Sequence, residues 1–436
     1  MREIVSSKAK WIGDVPSSWN ILQPRRLFTL RRELEHKDDI QLTPSQKYGV
    51  LPQTEYMEVT GSRVVLNLTG NTMQHVEPGD FISHLRTFQG GLELARQAGK
   101  VSPAYTVVTP RPGVNPEFFK YVLKSDGYIS QIASVTDQLR DGQSMRFPEF
   151  NQTWLPLPPT LEQQQIADYL DHETAEIDAL LVGLESMKDL VVERSGAERD
   201  ACIWSQDQQL IPLRRLIKYV DQGSSPQVMS SPAGPGEVGI LKSGCTNFGI
   251  FNLEANKAVP TEMKIPEQSF VHEGDLVISR ASGSTKHVGS SAVVPSLDRS
   301  LALSDKHYRL HVHDDVDVHY LAAVLRSRPF RNELEPYISG APGLAKNISI
   351  SSLKAMHVPH LSAEHQREIS RRLQKSFENV QEITRSIDHA IDLARERRAA
   401  LITAAVTGQI DVTAKNKPAA EQLEDDVAQG LHREYA

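Results

Sequence analysis

The sequence predicts an α+β protein in which two similar globular modules are joined by two long helices that pair antiparallel, as a coiled coil does. Three observations carry this expectation. The 436-residue chain contains an internal repeat, each copy closes on a long apolar stripe spaced for a helix, and the stretches before the two stripes are of similar length.

The repeat is legible in three places. Pro24-Arg25-Arg26-Leu27-Phe28 is echoed by Leu213-Arg214-Arg215-Leu216-Ile217. The run from Val76 through Gly79-Asp80 to Ser83 is echoed by the run from Val271 through Gly274-Asp275 to Ser279. Each of these reads as a turn feeding a short strand, with glycine supplying a positive φ. Leu155-Pro156-Leu157-Pro158-Pro159 then corresponds to Met356-His357-Val358-Pro359-His360.

The helical stripes match at a constant shift of 203 residues. Ile166, Leu170, Ile177, Leu180, Leu184, Met187 and Val191 fall on Ile369, Leu373, Val380, Ile383, Ile387, Ala390 and Ala394. Steps of three and four make this a two-helix seam. The first helix leaves the first module and the second returns from the second module, so the pair is expected to be antiparallel. Each is expected to span about 35–40 residues, or roughly 55 Å at 1.5 Å per residue. Gly196 is expected to fray the first of them. The resulting division is 1–157 for the first module, 158–205 for its helix, 206–358 for the second module, 359–412 for its helix, and 413–436 for a mobile polar tail.

Composition is that of an ordinary soluble protein, 39% hydrophobic and 24% charged. No stretch approaches the roughly 20 apolar residues of a membrane span. The opening residues lack the apolar core of a secretory signal, and two cysteines, Cys202 and Cys245, are too few for a disulfide framework, so a reducing cytoplasm is expected. The formal net charge of −7 is unpromising for a nucleic-acid binder, but its distribution matters more. Residues 1–157 are net +2, residues 206–358 net +1, and residues 158–205 net −8. The acidic helix is not expected to lie on phosphates.

Several motifs, taken in order, resemble the specificity (S) subunits of type I restriction–modification systems. Residues 11–19 (WIGDVPSSW) are similar to the family's amino-terminal motif. Residues 157–166 (LPPTLEQQQI) are similar to the entry into its central helix, and residues 396–411, from Glu396-Arg397-Arg398 to Gly408-Gln409-Ile410-Asp411, to its carboxy-terminal region. The resemblance runs to about Val412. It implies that the modules are target recognition domains reading the two halves of a bipartite, asymmetric site in double-stranded DNA. It further implies that the helices space them and dock two modification (methyltransferase) subunits, with restriction (translocase and endonuclease) subunits joining that core. S-adenosylmethionine, ATP and Mg would then belong to those partners, and this chain would be a non-catalytic DNA-binding subunit with no cofactor of its own.

The search for chemistry agrees with that implication. Asn115-Pro116-Glu117-Phe118 is the nearest approach to an adenine-methyltransferase motif, but Asn at an N-cap with Pro behind it is an ordinary helix start, matched by Asp317-Val318-His319-Tyr320. Glu262-Met263-Lys264 lacks the preceding aspartate of a metal-dependent nuclease, and there is no phosphate-binding loop. His311, His313 and His319, flanked by Asp314, Asp315 and Asp317, read as a solvated loop, so no metal is expected.

Polar and basic residues in glycine-flanked loops are the candidates for DNA contact. In the first module these are Arg86, Thr87, Gln89, Arg140, Gln143, Ser144 and Arg146; in the second, Arg280, Ser282, Ser284, Lys286, Lys346 and Asn347. Arginine can fork onto guanine, glutamine and asparagine onto adenine, while lysine and serine more often hold phosphate. The alternatives are a specificity subunit serving a methylation-only complex, a self-contained DNA methyltransferase or nuclease, and a coiled-coil scaffold.

Overall fold

The structure is a computed structural model that describes all residues except 1–2, 8, 63–72, 86, 136–144, 207, 227–230, 341–344 and 413–436. It divides into two compact units, residues 1–184 with 389–436, and residues 185–388. Each unit holds one module and half of each long helix.

In the first unit, β1 (Phe28–Leu30), β2 (Phe81–Ser83), β3 (Leu92–Leu94) and β4 (Val107–Pro110) form an antiparallel sheet ordered β1-β4-β2-β3. Register is set by Val108↔Leu30, Val107↔Ile82 and Phe81↔Leu94. Both faces of the central strands are covered. Phe81 and Val108 enter the main core, while Ile82 and Val107 enter a smaller one on the opposite face, so these strands read as unbroken apolar runs. Phe28 sits at the centre of the main core, edge-on to Phe81 at 5.8 Å and to Phe119 at 5.3 Å. Helices α1 (Pro116–Val122) and α2 (Asp126–Val135) follow, and the strand at Leu155–Leu157 pairs with Asn20–Leu22 to close the module before α3 (Thr160–Ile203) begins.

The second unit repeats this plan. β5 (Ile217–Gln222), β6 (Leu276–Ser279), β7 (Ser291–Val293) and β8 (His307–Val312) are ordered β5-β8-β6-β7, again antiparallel throughout. Leu276 and Ile278 face one core and Val277 the other. Helices α4 (Val318–Arg326) and α5 (Arg328–Leu334) follow, and His357–Pro359 pairs with Leu210–Pro212 ahead of α6 (Ala363–Val406).

The helix starts are the expected ones. Asn115 Oδ1 accepts from the Glu117 N–H at 2.9 Å, and Asp317 Oδ1 from the Tyr320 N–H at 2.8 Å. A feature not read from the sequence anchors both to the long helices. Gln163 Oε1 accepts from the Asn115 N–H, and its amide donates to the carbonyls of Pro158 and Gly113. Gln366, 203 residues on, accepts from the Asp317 N–H and donates to the Leu361 carbonyl. Both amides are buried, so each unmade bond there would cost about 1–3 kcal/mol.

α3 and α6 are each 44 residues, longer than expected, and α3 continues through Gly196 without fraying. They pair antiparallel. Arg398 Nε donates to Asp178 at 2.9 Å in the first unit; in the second, Lys188 Nζ lies 2.5 Å from Asp388 and Ser376 Oγ donates to Glu198 at 3.3 Å. Ile166, Leu170, Ile177, Leu373 and Ile387 are buried, and Leu184, Val191, Ile369 and Val380 half-buried. Three assigned seam residues are corrected: Leu180, Met187 and Ile383 are 54%, 52% and 42% exposed. The structure keeps 177, 184 and 191 but takes the fourth residue after each of the first two, Leu181 and Lys188, where the stripe took the third. On α6 the same choice gives Thr384 and Ile391 in place of Ile383 and Ala390. An apolar template misses this phase because Lys188 satisfies its charge on Asp388 and Thr384 bonds back to the Val380 carbonyl at 2.9 Å.

Candidate nucleic-acid interface

The Gly-Asp turns that open β2 and β6 are built alike. Asp80 Oδ2 accepts from the Glu77 N–H, and Asp275 Oδ2 from the His272 N–H, both at 2.8 Å. Each carboxylate then meets an arginine, Arg31 through Nε at 2.5 Å and Arg309 through Nη1 at 3.0 Å. These aspartates are structural, and the strands they launch lead directly into the candidate loops.

In the first module, Thr87 opens a short helix after β2 and is buried. Its hydroxyl donates to the His84 carbonyl at 2.6 Å and accepts from the Met145 N–H at 3.2 Å. Thr106 Oγ1 donates to the Met145 carbonyl at 2.6 Å. Thr87 thus fastens the loop after β2 to the segment bearing Arg146, and it is not itself available to DNA. Gln89 and Arg146 are exposed. Arg146 lines an open groove of about 450 Å³ with Arg31, Arg32, Gln74 and Tyr105. The sequence reading missed Arg32, because Arg25-Arg26 and Arg31-Arg32 look alike until the fold exposes one of them on a groove. Arg86, Arg140, Gln143 and Ser144 lie outside the described residues.

In the second module, strand pairing joins residues more than sixty positions apart: Ala281↔Asn347 and Ser282↔Lys346. Ser282 Oγ accepts from the Ser284 N–H, and the turn at Thr285–His287 carries Lys286 outward. Ser282, Lys346 and Asn347 therefore share one paired edge, with Arg280, Ser284 and Lys286 close to it in sequence. Their roles differ. Arg280 turns inward, donating to the Tyr308 hydroxyl at 2.9 Å and the Asp305 carbonyl at 3.1 Å. Lys346 Nζ donates to the Gly340 carbonyl at 2.5 Å. Lys286 is exposed and Ser284 half-exposed. Arg331, also unforeseen, holds this loop from behind by donating to the carbonyls of Val288, Thr285 and Lys286. Gly289, at φ 79°, leaves room for it, since a Cβ there would lie 2.8 Å from the guanidinium.

The histidine-rich stretch is only partly a solvated loop. His311 lies in β8, bonded through Nε2 to Asp221 at 2.7 Å and stacked on Tyr219 at 4.0 Å, whereas His313 and His319 are exposed. A cysteine–histidine pair does exist, with Cys245 Sγ 3.3 Å from His307 Nε2 and Ser304 Oγ 2.8 Å from Nδ1. All three are buried. Burial pushes the thiol up and the imidazole down to about 4, so the pair holds a neutral thiol and a neutral ring rather than an activated nucleophile. Glu262-Met263-Lys264 lies in a turn with both charged residues exposed. No helix among the described residues is long and apolar enough to cross a membrane.

No protein-family model matches the chain. Among curated proteins it is 21% identical over 318 residues to the EcoKI specificity subunit of a type I restriction enzyme from Escherichia coli strain K12, covering 70% of this chain and 68% of that protein. It is 30% identical over 143 residues to the EcoEI specificity subunit of Escherichia coli, covering 32% of this chain and 24% of that relative. The chain is thus similar in sequence to type I specificity subunits, over most of its length to one and over about a third of it to the other. Its fold agrees with that of a solved chain described as part of the assembly and conformational transition of the type I R-M system, with a TM-score of 0.68 at 14% identity, covering 91% of this chain and 99% of that one.

The three motifs that carry the family resemblance converge in the first unit of this chain. Ile12, Val15 and Trp19 from the start, Ile166 and Leu170 from the entry to α3, and Leu401, Ala405 and Val406 from the end of α6 share one core. Gly408, at φ 75°, closes the contact: a Cβ there would come within 2.6 Å of Pro16 and 3.2 Å of Trp19. The amino- and carboxy-terminal motifs are two sides of one packed joint.

Proposed function

We propose that this chain is the DNA-reading subunit of a type I restriction–modification complex, with one module on each half of a bipartite, asymmetric site. The duplication carries this reading. Two modules with one strand order present polar loops at the same place, after β2 and after β6, each laced to the segment that precedes the closing strand. Gln89, Arg146 and Arg32 of the first module, and Ser284, Lys286 and Asn347 of the second, are the groups assigned to bases and phosphates. Thr87, Arg280, Lys346 and Arg331 hold those loops in place. The paired helices set the gap between half-sites, about one turn of duplex or roughly 34 Å. They also carry docking faces for two modification subunits, which restriction subunits join. Tethering two short readers makes the second contact effectively intramolecular. Chemistry resides on the partners: methyl transfer from S-adenosylmethionine, and ATP- and Mg-dependent translocation and cleavage.

Single-molecule sequencing of methylated adenines in host DNA, with and without this gene, tests the reading. A split motif methylated only when the gene is present is expected; an unchanged methylome would dismiss it. A second expected outcome concerns the helices. Lengthening one of them by a single turn should change the number of unspecified base pairs between the half-sites while leaving both halves the same. A constant spacer would contradict a helical ruler.

A further inference from the structure

The segment after β1 carries Glu33 and His36, and the strand at Gln74–Val76 carries His75. Some forty residues apart in sequence, they meet in the fold: one potential ligand atom from each, and all three within 4.8 Å of one another. His75 is 2% exposed. Its Nδ1 lies 2.8 Å from Asp39 Oδ2, and the same oxygen accepts the His36 backbone N–H at 2.7 Å. One nearly buried carboxylate therefore orients both histidine positions. Committing Nδ1–H to Asp39 leaves Nε2 of His75 as the ligating nitrogen, the relation found behind metal-bound imidazoles. That Nε2 faces Glu77 Oε1 at 2.9 Å, and His36 Nε2 faces Glu33 Oε1 at 2.9 Å. Arg31 takes the other oxygen of Glu33, at 2.7 Å, which leaves Oε1 directed at the cluster.

We propose that Glu33, His36 and His75 form a site for a borderline divalent cation, Zn²⁺ foremost, with water at a fourth position within reach of Glu77. Two imidazoles and a carboxylate suit zinc rather than calcium or magnesium. Zinc holds such ligands at about 2.0–2.2 Å, which sets them roughly 3.3 Å apart, so the wider separations in the cluster must close while Glu33 Oε1 and His36 Nε2, now at 2.9 Å, open slightly. The movement falls to Glu33 and His36, whose side chains are about half exposed. The His36 ring, now stacked on His75 at 3.9 Å and 26°, fans outward to bring the two lone pairs onto one centre. The ion ties the chain leaving β1 to the antiparallel strand pair of Gln74–Val76 and Gly99–Val101. This role is structural, at the rim of the groove that Glu33 shares with Arg32 and Arg146.

The test uses the full chain stripped of metal, titrated with Zn²⁺ by calorimetry and with Co²⁺ by visible absorption. One site per chain and the intense absorption of tetrahedral Co²⁺ are expected. Glu33→Gln with His36→Ala should weaken Zn²⁺ binding at least a hundredfold, and Asp39→Asn about 10–100-fold. His272→Ala, an exposed histidine of the second unit, should leave it unchanged. Glu33 and His36 are exposed, so the double variant keeps its fold, checked by circular dichroism; His75→Asn, at a buried position, is not relied on. Absence of uptake at about 10 µM free Zn²⁺, or uptake that the double variant retains, would overturn the site and leave an ion-paired histidine cluster in its place.

Discussion

Replacing Arg309 with methionine is expected to loosen the second module by about 3 kcal/mol or more, with amide exchange in β6 and β8 accelerated on the order of a hundredfold. The guanidinium is nearly buried and bonds Asp221 at 2.5 Å and Asp275 at 3.0 Å, together with the carbonyls of Phe270 and Gln268. Methionine preserves the apolar stem but leaves two facing carboxylates without their cation, which is the costly way to break such a pair. Hydrogen exchange followed by mass spectrometry reads the second unit directly, and peptides from β2 and β4 serve as the internal reference. Exchange in β6 and β8 altered by less than about threefold would show that the arginine is not holding the sheet.

The same cluster gives the effect a pH signature. Burial opposes ionisation of Asp221, but the hydrogen bonds from Arg309 and His311 outweigh it and hold the carboxyl below its ordinary range. A depressed folded-state pKa contributes stability above the unfolded value of about 4, and loses it as pH falls through the folded value. The advantage of the wild type over Arg309→Met is therefore expected to be full at neutral pH and to shrink below about pH 4.

The sequence shows the large organisation of this molecule and hides much of its detail, and the residues involved explain why. The duplication, the antiparallel helices and the two helix starts are legible because they depend on local signals: Asn115 and Asp317 as caps, Gly79-Asp80 and Gly274-Asp275 as turns, and apolar residues at a constant shift. The middle of the seam is misread because Lys188 and Thr384 occupy inward positions that an apolar template assigns to Met187 and Ile383. Gln163 and Gln366 stand at the same shift as the apolar stripe, yet a glutamine in a helix gives no hint that it will cap another helix some fifty residues upstream.

The candidate interface divides the same way. Glycine and serine mark the second-module loops in the sequence, but that Ser282 pairs with Lys346 depends on the fold. The inward turn of Arg280 depends on the Tyr308 hydroxyl 28 residues away, and no local pattern announces it. Glu33, His36 and His75 carry no local signal for a related reason. Their separation in sequence has no meaning until the strand at Gln74–Val76 is laid beside the segment that leaves β1.

The largest effect on function is expected from exchanging residues 1–157 for the corresponding module of a type I specificity subunit. The junction falls before α3, between the closing strand Leu155–Leu157 and Thr160. The donor must keep the joint with the carboxy-terminal motif, where Pro16 and Trp19 rest against Gly408. Each mismatched base pair costs about 1–3 kcal/mol, so a half-site altered at three positions would shift preference at least about a hundredfold. Two independent readers on one spacer should then behave as separable parts.

Methylome sequencing of cells carrying that chimera, with the proposed modification subunits, tests this separability most directly. The account predicts a split motif in which one half is replaced and the other half is retained. A methylome in which both halves change together, or neither does, would contradict it.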